Sequence, residues 1–181
     1  MNPSDLTGTY TLDPAHSRFG FVARHAMITK IHGSIPVKEA VVVLDAGDPA
    51  ASRAHVVLDV AGIHTGNQYR DAHLRTGDLL DAAGHPSITF DSAGVKHAGG
   101  DDYEVTGDLT IRGVTRQVTI VMTYTGTAAD AQGVTRVGFE GGTVIDRRDF
   151  GITYNAILET GGVMISDKIT IELDLSAVRA T

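Results

Sequence analysis

Along most of the chain, apolar and polar residues alternate with the period of two expected of half-buried β-strands. Residues 103–124 show this best. Tyr103, Val105, Gly107, Leu109 and Ile111 fall on one face, and Glu104, Thr106, Asp108, Thr110 and Arg112 on the other. Gly113-Val114-Thr115-Arg116 is predicted to turn the chain, after which Val118, Ile120, Met122 and Tyr124 run back. Shorter alternating runs cover 9–12, 17–24, 30–37, 54–63, 87–92, 135–146 and 168–175. They place Phe19 with Phe21, Val56 with Leu58 and Val60, Ile88 with Phe90, and Ile171 with Leu173. Residues 40–44 are continuously apolar, which suits either a fully buried strand or an exposed edge available to a second copy in a homodimer.

One stretch breaks the pattern. Between Thr65 and Pro86 the charged residues Arg70, Asp71, Arg75, Asp78 and Asp81 are interleaved with Tyr69, Leu74, Leu79 and Leu80. This predicts a short helical insert over about residues 67–82, lying across a sheet and closing or bracing it. Eight or nine strands at hairpin spacing form an antiparallel sheet that tends to close, because an open sheet leaves two exposed edges. The fold class expected is therefore all-β, an eight-stranded antiparallel barrel, just wide enough for one small ligand. The 181 residues fit one domain, 1–181, with no internal repeat.

Composition narrows the functions. The formal charge is −7, and the longest basic run is Arg147-Arg148, which disfavours nucleic acid and any general attraction to anionic membranes. No apolar run approaches the ~20 residues that cross a bilayer, so no stable membrane insertion is expected. The first residues, M-N-P-S-D-L-T-G, do not read as a secretory signal, and the expectation is a cytoplasmic protein, or a periplasmic or secreted one if the chain is a processed form. The absence of cysteine excludes disulfides, thiolate metal sites and a cysteine nucleophile.

Candidate chemistry is sparse. There is no G-x-S-x-G, no phosphate-loop signature and no H-E-x-x-H. Asp13, His16 and Ser17 are the residue types of a hydrolytic triad, but five consecutive positions do not align them as one; Asp13 and Ser17 read as turn caps around Pro14. His16 either braces the barrel mouth or touches a ligand. His64 and His73 near Asp71 can be drawn as a metal site, with solvent-facing polar residues as the plainer reading. The chain is expected to need no metal or cofactor and to be no enzyme.

Several segments in order resemble the YceI-like polyisoprenoid-binding proteins: D-P-A-H-S-R-F-G-F at 13–21, H-T-G-N-Q-Y-R-D-A-H-L at 64–74 and D-L-L-D at 78–81. H-P-S-I-T-F-D-S at 85–92, V-T-G-D-L-T-I-R-G-V-T-R at 105–116 and D-R-R-D-F-G-I at 146–152 continue the likeness. The resemblance implies a lipocalin-like barrel with a helical lid around a long apolar pocket. It implies a polyisoprenoid or other long-chain lipid as partner: a polyprenyl diphosphate, a quinone precursor or an acyl chain. Tyr10, Ser34-Ile35-Pro36 and Leu80 depart from the family pattern, at positions expected to lie in the pocket or its mouth.

On this reading Phe19, Phe21, Leu58, Phe90, Leu109, Ile111, Met122 and Phe139 line the tunnel, with Leu74 contributed by the lid. His16, Arg18, Arg70 or Arg148 would read the head group, guanidinium forks being suited to phosphate. The alternatives are that the apolar side chains simply fill the barrel and that Arg70 and Arg148 form ion pairs with Asp71, Asp146 or Asp149. A filled barrel would serve as an interaction module of a stress response. An enzyme acting on an isoprenoid or fatty acid would need an acid–base pair facing the cavity.

Overall fold

The structure, a computed structural model, describes residues 6–129, 133–159 and 162–180. Ten strands follow one another: β1 (Gly8–Leu12), β2 (Arg18–His25), β3 (Thr29–Ser34), β4 (Val37–Leu44), β5 (Arg53–Asp59), β6 (Ser87–Gly99), β7 (Asp102–Ile111), β8 (Val114–Ala129), β9 (Thr135–Asp146) and β10 (Lys168–Arg179). The ladder β1-β4-β5-β6-β7-β8-β9-β10 closes on itself where β10 pairs with β1, Tyr10 opposite Arg179. β2 continues β1 along the other half of β10, and β3 pairs with β2 and leads into β4. The ten pieces thus make eight barrel strands, two of them bent.

Each bend has a local cause. Between β1 and β2 the residues Asp13 to Ser17 bulge away from β10. The Ser17 hydroxyl repairs the ladder, donating to the Ser176 carbonyl and accepting from the Ser176 amide, both at 3.0 Å. Asp13 caps the bulge by accepting from the Ala15 amide at 3.0 Å. The break between β3 and β4 falls at Ile35-Pro36, since proline has no N–H to offer a ladder. Sharp coiling is also visible at Gly141 and Gly142, where an added Cβ would collide with the carbonyls of Val121 and Ile171 on the two flanking strands.

Several expectations need correction. The β7–β8 turn is Arg112-Gly113, both left-handed, with Ile111 opposite Val114; residues 114–116 already belong to β8. This is the two-residue turn whose twist matches a hairpin. Residues 40–44 lie in β4, paired with β1 on one side and β5 on the other, so they offer no free edge. The helix is short: α1 spans Gln68–Leu74, and the rest of the lid is turns. Asn67 caps its start by accepting from the amides of Tyr69 and Arg70, and the Thr76 hydroxyl closes its end on the His73 carbonyl at 2.7 Å. Among the described residues no helix is long and apolar enough to cross a membrane.

The densest packing lies at one end of the barrel rather than its middle. Val60 and Ile63 from the turn after β5, Leu79 from the lid, and Phe150 and Ile152 from the β9–β10 connection pack on Ile35, Ile88, Ile111 and Ile145. Leu74 and Leu80 add to this plug from its edge. A smaller cluster of Tyr10, Val137 and Ala177 sits near the ends of β1 and β10. Between the two, the barrel is hollow.

Candidate functional site: an apolar cavity inside the barrel

Because the inward positions of β5 to β10 are apolar and the plug occupies only one end, a cavity of about 490 Å³ remains along the barrel axis. That size falls within the ~300–1,000 Å³ usual for small-molecule sites. Its inner end meets Ile35, Ile88 and Ile111, which belong to the plug. Its outer end is formed by residues 45–53, the turn at Gly100 and Asp101, and Leu6. The polar groups on its wall gather there: Asp45, Ser52, Arg53, Asp101 and Tyr103. Deeper in, the inward-facing positions are apolar apart from Thr143.

Eight residues expected from the alternation lie on this wall. Phe19 and Phe21 come from β2, Leu58 from β5 and Phe90 from β6. Leu109 and Ile111 come from β7, Met122 from β8 and Phe139 from β9. The barrel is therefore not filled by its own side chains.

The YceI-like domain family matches residues 10–177, nearly the whole chain. The chain belongs to the YceI-like family. A UPF0312 protein of Azotobacter vinelandii is 36% identical over 149 residues, 81% of this chain and 78% of its own length. One from Staphylococcus aureus is 34% identical over 166 residues, covering 90% of this chain and 93% of its own. Among solved structures, Burkholderia cenocepacia BcnA superposes with a TM-score of 0.80 at 28% identity, over 94% of this chain and 99% of that one. A polyisoprenoid binding domain from Saccharophagus degradans gives 0.69 at 16% identity, covering 94% and 98%, a likeness of fold.

Within this YceI-like barrel the cations expected at the head group stand away from the cavity. His16 and the Arg136 guanidinium both hold Asp13 on the bulge, His16 at 2.9 Å. The His16 hydrogen bond above all, then the Ala15 amide and Arg136, outweigh desolvation and bring the Asp13 pKa down to about 2. Arg18 lies over Gly20, donates to the Gly33 carbonyl at 3.3 Å and faces Glu172 at 3.5 Å. Arg148 is exposed and pairs with Asp167 at 3.6 Å rather than with Asp146 or Asp149. Leu74 packs on the plug, not on the cavity wall.

Arg70 serves the lid. It donates to the Thr65 hydroxyl at 2.7 Å and the Thr65 carbonyl at 2.9 Å. Thr65 in turn gives its hydroxyl and amide to Asp71, which is only 4% exposed. His64 adds a contact to Asp71 at 3.4 Å, whereas His73 turns to Asp78 at 3.3 Å and sets its ring edge-on to Tyr154. The two histidines therefore address different carboxylates. The motif H-T-G-N-Q-Y-R-D is a self-bonded clasp that fixes the start of α1.

Burial pushes the Asp71 pKa upward, but the Thr65 hydroxyl and amide, with the charges of His64 and Arg75, prevail and hold it below the ordinary value. A depressed pKa means that the clasp stabilises the fold above the unfolded-state value of about 3.9 and loses that contribution as pH falls through the lower folded value. Asp71→Asn is expected to cost about 1–3 kcal/mol at about pH 7. Its urea midpoint should also fall less steeply than that of the parent on acidification below about pH 4. Parallel acid profiles for the two proteins would remove Asp71 from the account.

Two features escaped the sequence reading. Arg147 rather than Arg148 is the buried arginine of D-R-R-D, 5% exposed. It donates to the carbonyls of Ser166, Ile152 and Tyr154 at 2.8–3.0 Å and to Asp167 at 3.1 Å. The signal was present: continuing the inward alternation of β9 past Val137, Phe139, Thr143 and Ile145 reaches 147. The outer-end residues Asp45 and Ser52 lie in a loop with no periodicity to reveal them, and Arg53 is the first residue of β5. Of the departures from the family pattern, Ile35 lines the cavity, while Leu80 belongs to the plug. Tyr10 is wholly buried, its hydroxyl donating to the Leu6 carbonyl and accepting from Arg179.

Proposed function

We propose that the protein binds one long-chain amphiphile, a polyisoprenoid such as a polyprenyl diphosphate or quinone precursor, inside the barrel and stores, carries or sequesters it. The observation that carries this reading is the cavity itself: about 490 Å³ with apolar walls and polar groups gathered at one end. Such a site suits a molecule with an apolar chain and a single polar head. About ten buried methylenes would supply ~8 kcal/mol, part of it offset by ordering the chain. The head would sit among Asp45, Ser52, Arg53, Asp101 and Tyr103. The Saccharophagus degradans domain of the same fold, described as polyisoprenoid binding, supports the ligand class. The role is binding rather than catalysis, since the wall alongside the chain offers it only hydroxyls and apolar groups.

Native mass spectrometry of the purified protein, followed by organic extraction, tests this. The expected result is a prenyl or acyl species at near-unit occupancy, or stoichiometric uptake of an added polyprenyl alcohol, quinone or diphosphate. A protein that is empty and takes up none of these would sink the proposal.

A further inference from the structure

Residues 15–38 contain Arg18, Arg24, Lys30 and Lys38, with His16, His25 and His32, and not one aspartate or glutamate, in a chain of formal charge −7. Most of that run forms the β2–β3 hairpin, in which β2 pairs with the first half of β10 and the two bent barrel strands end together. The hairpin turn, His25 to Ile28, is closed by the Ile28 amide donating to the His25 carbonyl at 3.0 Å. At its tip Met27 is 56% and Ile28 79% exposed. Arg24, His25, Lys30 and His32 are exposed on its stem.

A second hairpin lies against the first. The Ala26 amide donates to the Met164 carbonyl at 2.8 Å, and His25 bridges Ile165. Ile157, 87% exposed, bridges Val163, itself exposed, within this second hairpin. Four large apolar side chains thus stand unburied on two joined hairpins at the plugged end. Two carboxylates in this region face cations: Glu172 faces Arg18 and His32, and Asp167 faces Arg147 and Arg148, while Asp149 is exposed on the same connection. Glu159 is the exposed acid on the second hairpin.

The turn backbone adds an independent observation. Ala26 and Met27 both have positive φ, 50° and 60°, where Asn-Gly is the favoured pair. The turn thus presents an exposed methionine at its tip from the left-handed region.

We propose that this corner docks on an anionic lipid surface. Met27, Ile28, Ile157 and Val163 enter the boundary between head groups and acyl chains, and Arg24 and Lys30, flanked by His25, face the lipid phosphates. Shallow apolar insertion combined with basic residues is the usual means of reversible membrane attachment. The net negative charge elsewhere repels the same surface and so orients the molecule with this corner down. The contact is peripheral, brings the plugged end to the lipid, and does not rest on what the cavity binds.

Co-sedimentation of the full chain with vesicles tests it, using phosphatidylcholine alone or mixed equally with phosphatidylglycerol. The protein is expected to pellet with the anionic vesicles at ~0.01 M salt and to be released towards ~1 M, as the screening length falls from ~30 to ~3 Å. It should stay in solution with the neutral ones. Ile28→Asp is expected to weaken anionic binding about tenfold or more, and Lys30→Glu comparably. The double change Ala26→Asn, Met27→Gly removes the methionine while supplying the preferred turn, and is expected to lower binding without loss of fold. Equal pelleting with both vesicle types, or unchanged binding in all three variants, would overturn the proposal. So would a dimer in solution that Ile28→Asp disperses with no vesicle binding by the parent, which would make the corner a self-association surface. Neither vesicle contains a prenyl lipid, so failure here is separable from failure of the cavity reading.

Discussion

Val105→Trp and Leu173→Trp are expected to weaken uptake of a long prenyl chain about a hundredfold while leaving the barrel folded. Both side chains line the cavity, Val105 from β7 opposite Ile120 and Leu173 from β10 opposite Gly141. In a close-packed interior such a change forces neighbours off their rotamers and costs about 1–3 kcal/mol. Here the indole has empty space to enter, so the thermal midpoint should hold or rise. If the ring displaces about four methylenes of a bound chain, ~3 kcal/mol of burial is lost, roughly a hundredfold in Kd. Isothermal titration of parent and variants with a polyprenyl alcohol would measure it. Unchanged affinity in both variants would place the chain outside the barrel, whatever the native mass spectrum shows.

The largest loss of stability is expected at a residue that touches no ligand. Arg147→Met should lower unfolding free energy by about 3–5 kcal/mol, the range for removing one member of a buried charged network. Its guanidinium satisfies three backbone carbonyls of the β9–β10 connection and one carboxylate, and methionine can satisfy none of them. Phe150 and Ile152, which complete the plug, hang from the same connection, so its loosening should open the inner end of the cavity. Urea unfolding with an unchanged m-value reads the cost directly. A loss no greater than that of Arg148→Met, which removes only an exposed pair, would show that the network carries little of the stability.

The two arginines also show how the cavity can be hollow without the fold being weak. Stability comes from the plug and from closure of the ladder, where β10 meets β1. The middle of the barrel is free of that duty, and its apolar walls are left facing a space of about 490 Å³. An apolar surface of that extent is stable in contact with water only at a cost, which a bound chain would relieve.

The strands and their inward faces were legible in the sequence because alternation is a local property. A residue's parity on a strand decides which side of the sheet it meets, whatever the strand's neighbours are. Phe90, Leu109, Ile111 and Met122 could be put on one surface for that reason. Parity says nothing of how far a side chain lies from the barrel axis or from either end, so it could not separate a wall from a plug. Ile111 serves as both.

Charged residues were less legible still. Arg18, Arg70 and Arg148 have the chemistry of anion readers, but Arg18 and Arg148 find carboxylates brought near by the fold, Glu172 across a strand pair and Asp167 across the connection, and Arg70 turns back on Thr65 five residues before it. Arg53, the first residue of β5, stands at the outer end of the cavity with its guanidinium on the carbonyls of Ala50 and Ser52. The sequence by itself determined the secondary elements, the closure of the sheet and the sidedness of its apolar residues, since these follow from short-range patterning. Only the tertiary structure decided which end is plugged, which end is open and which cations stand at neither, because those depend on contacts between residues far apart in the chain.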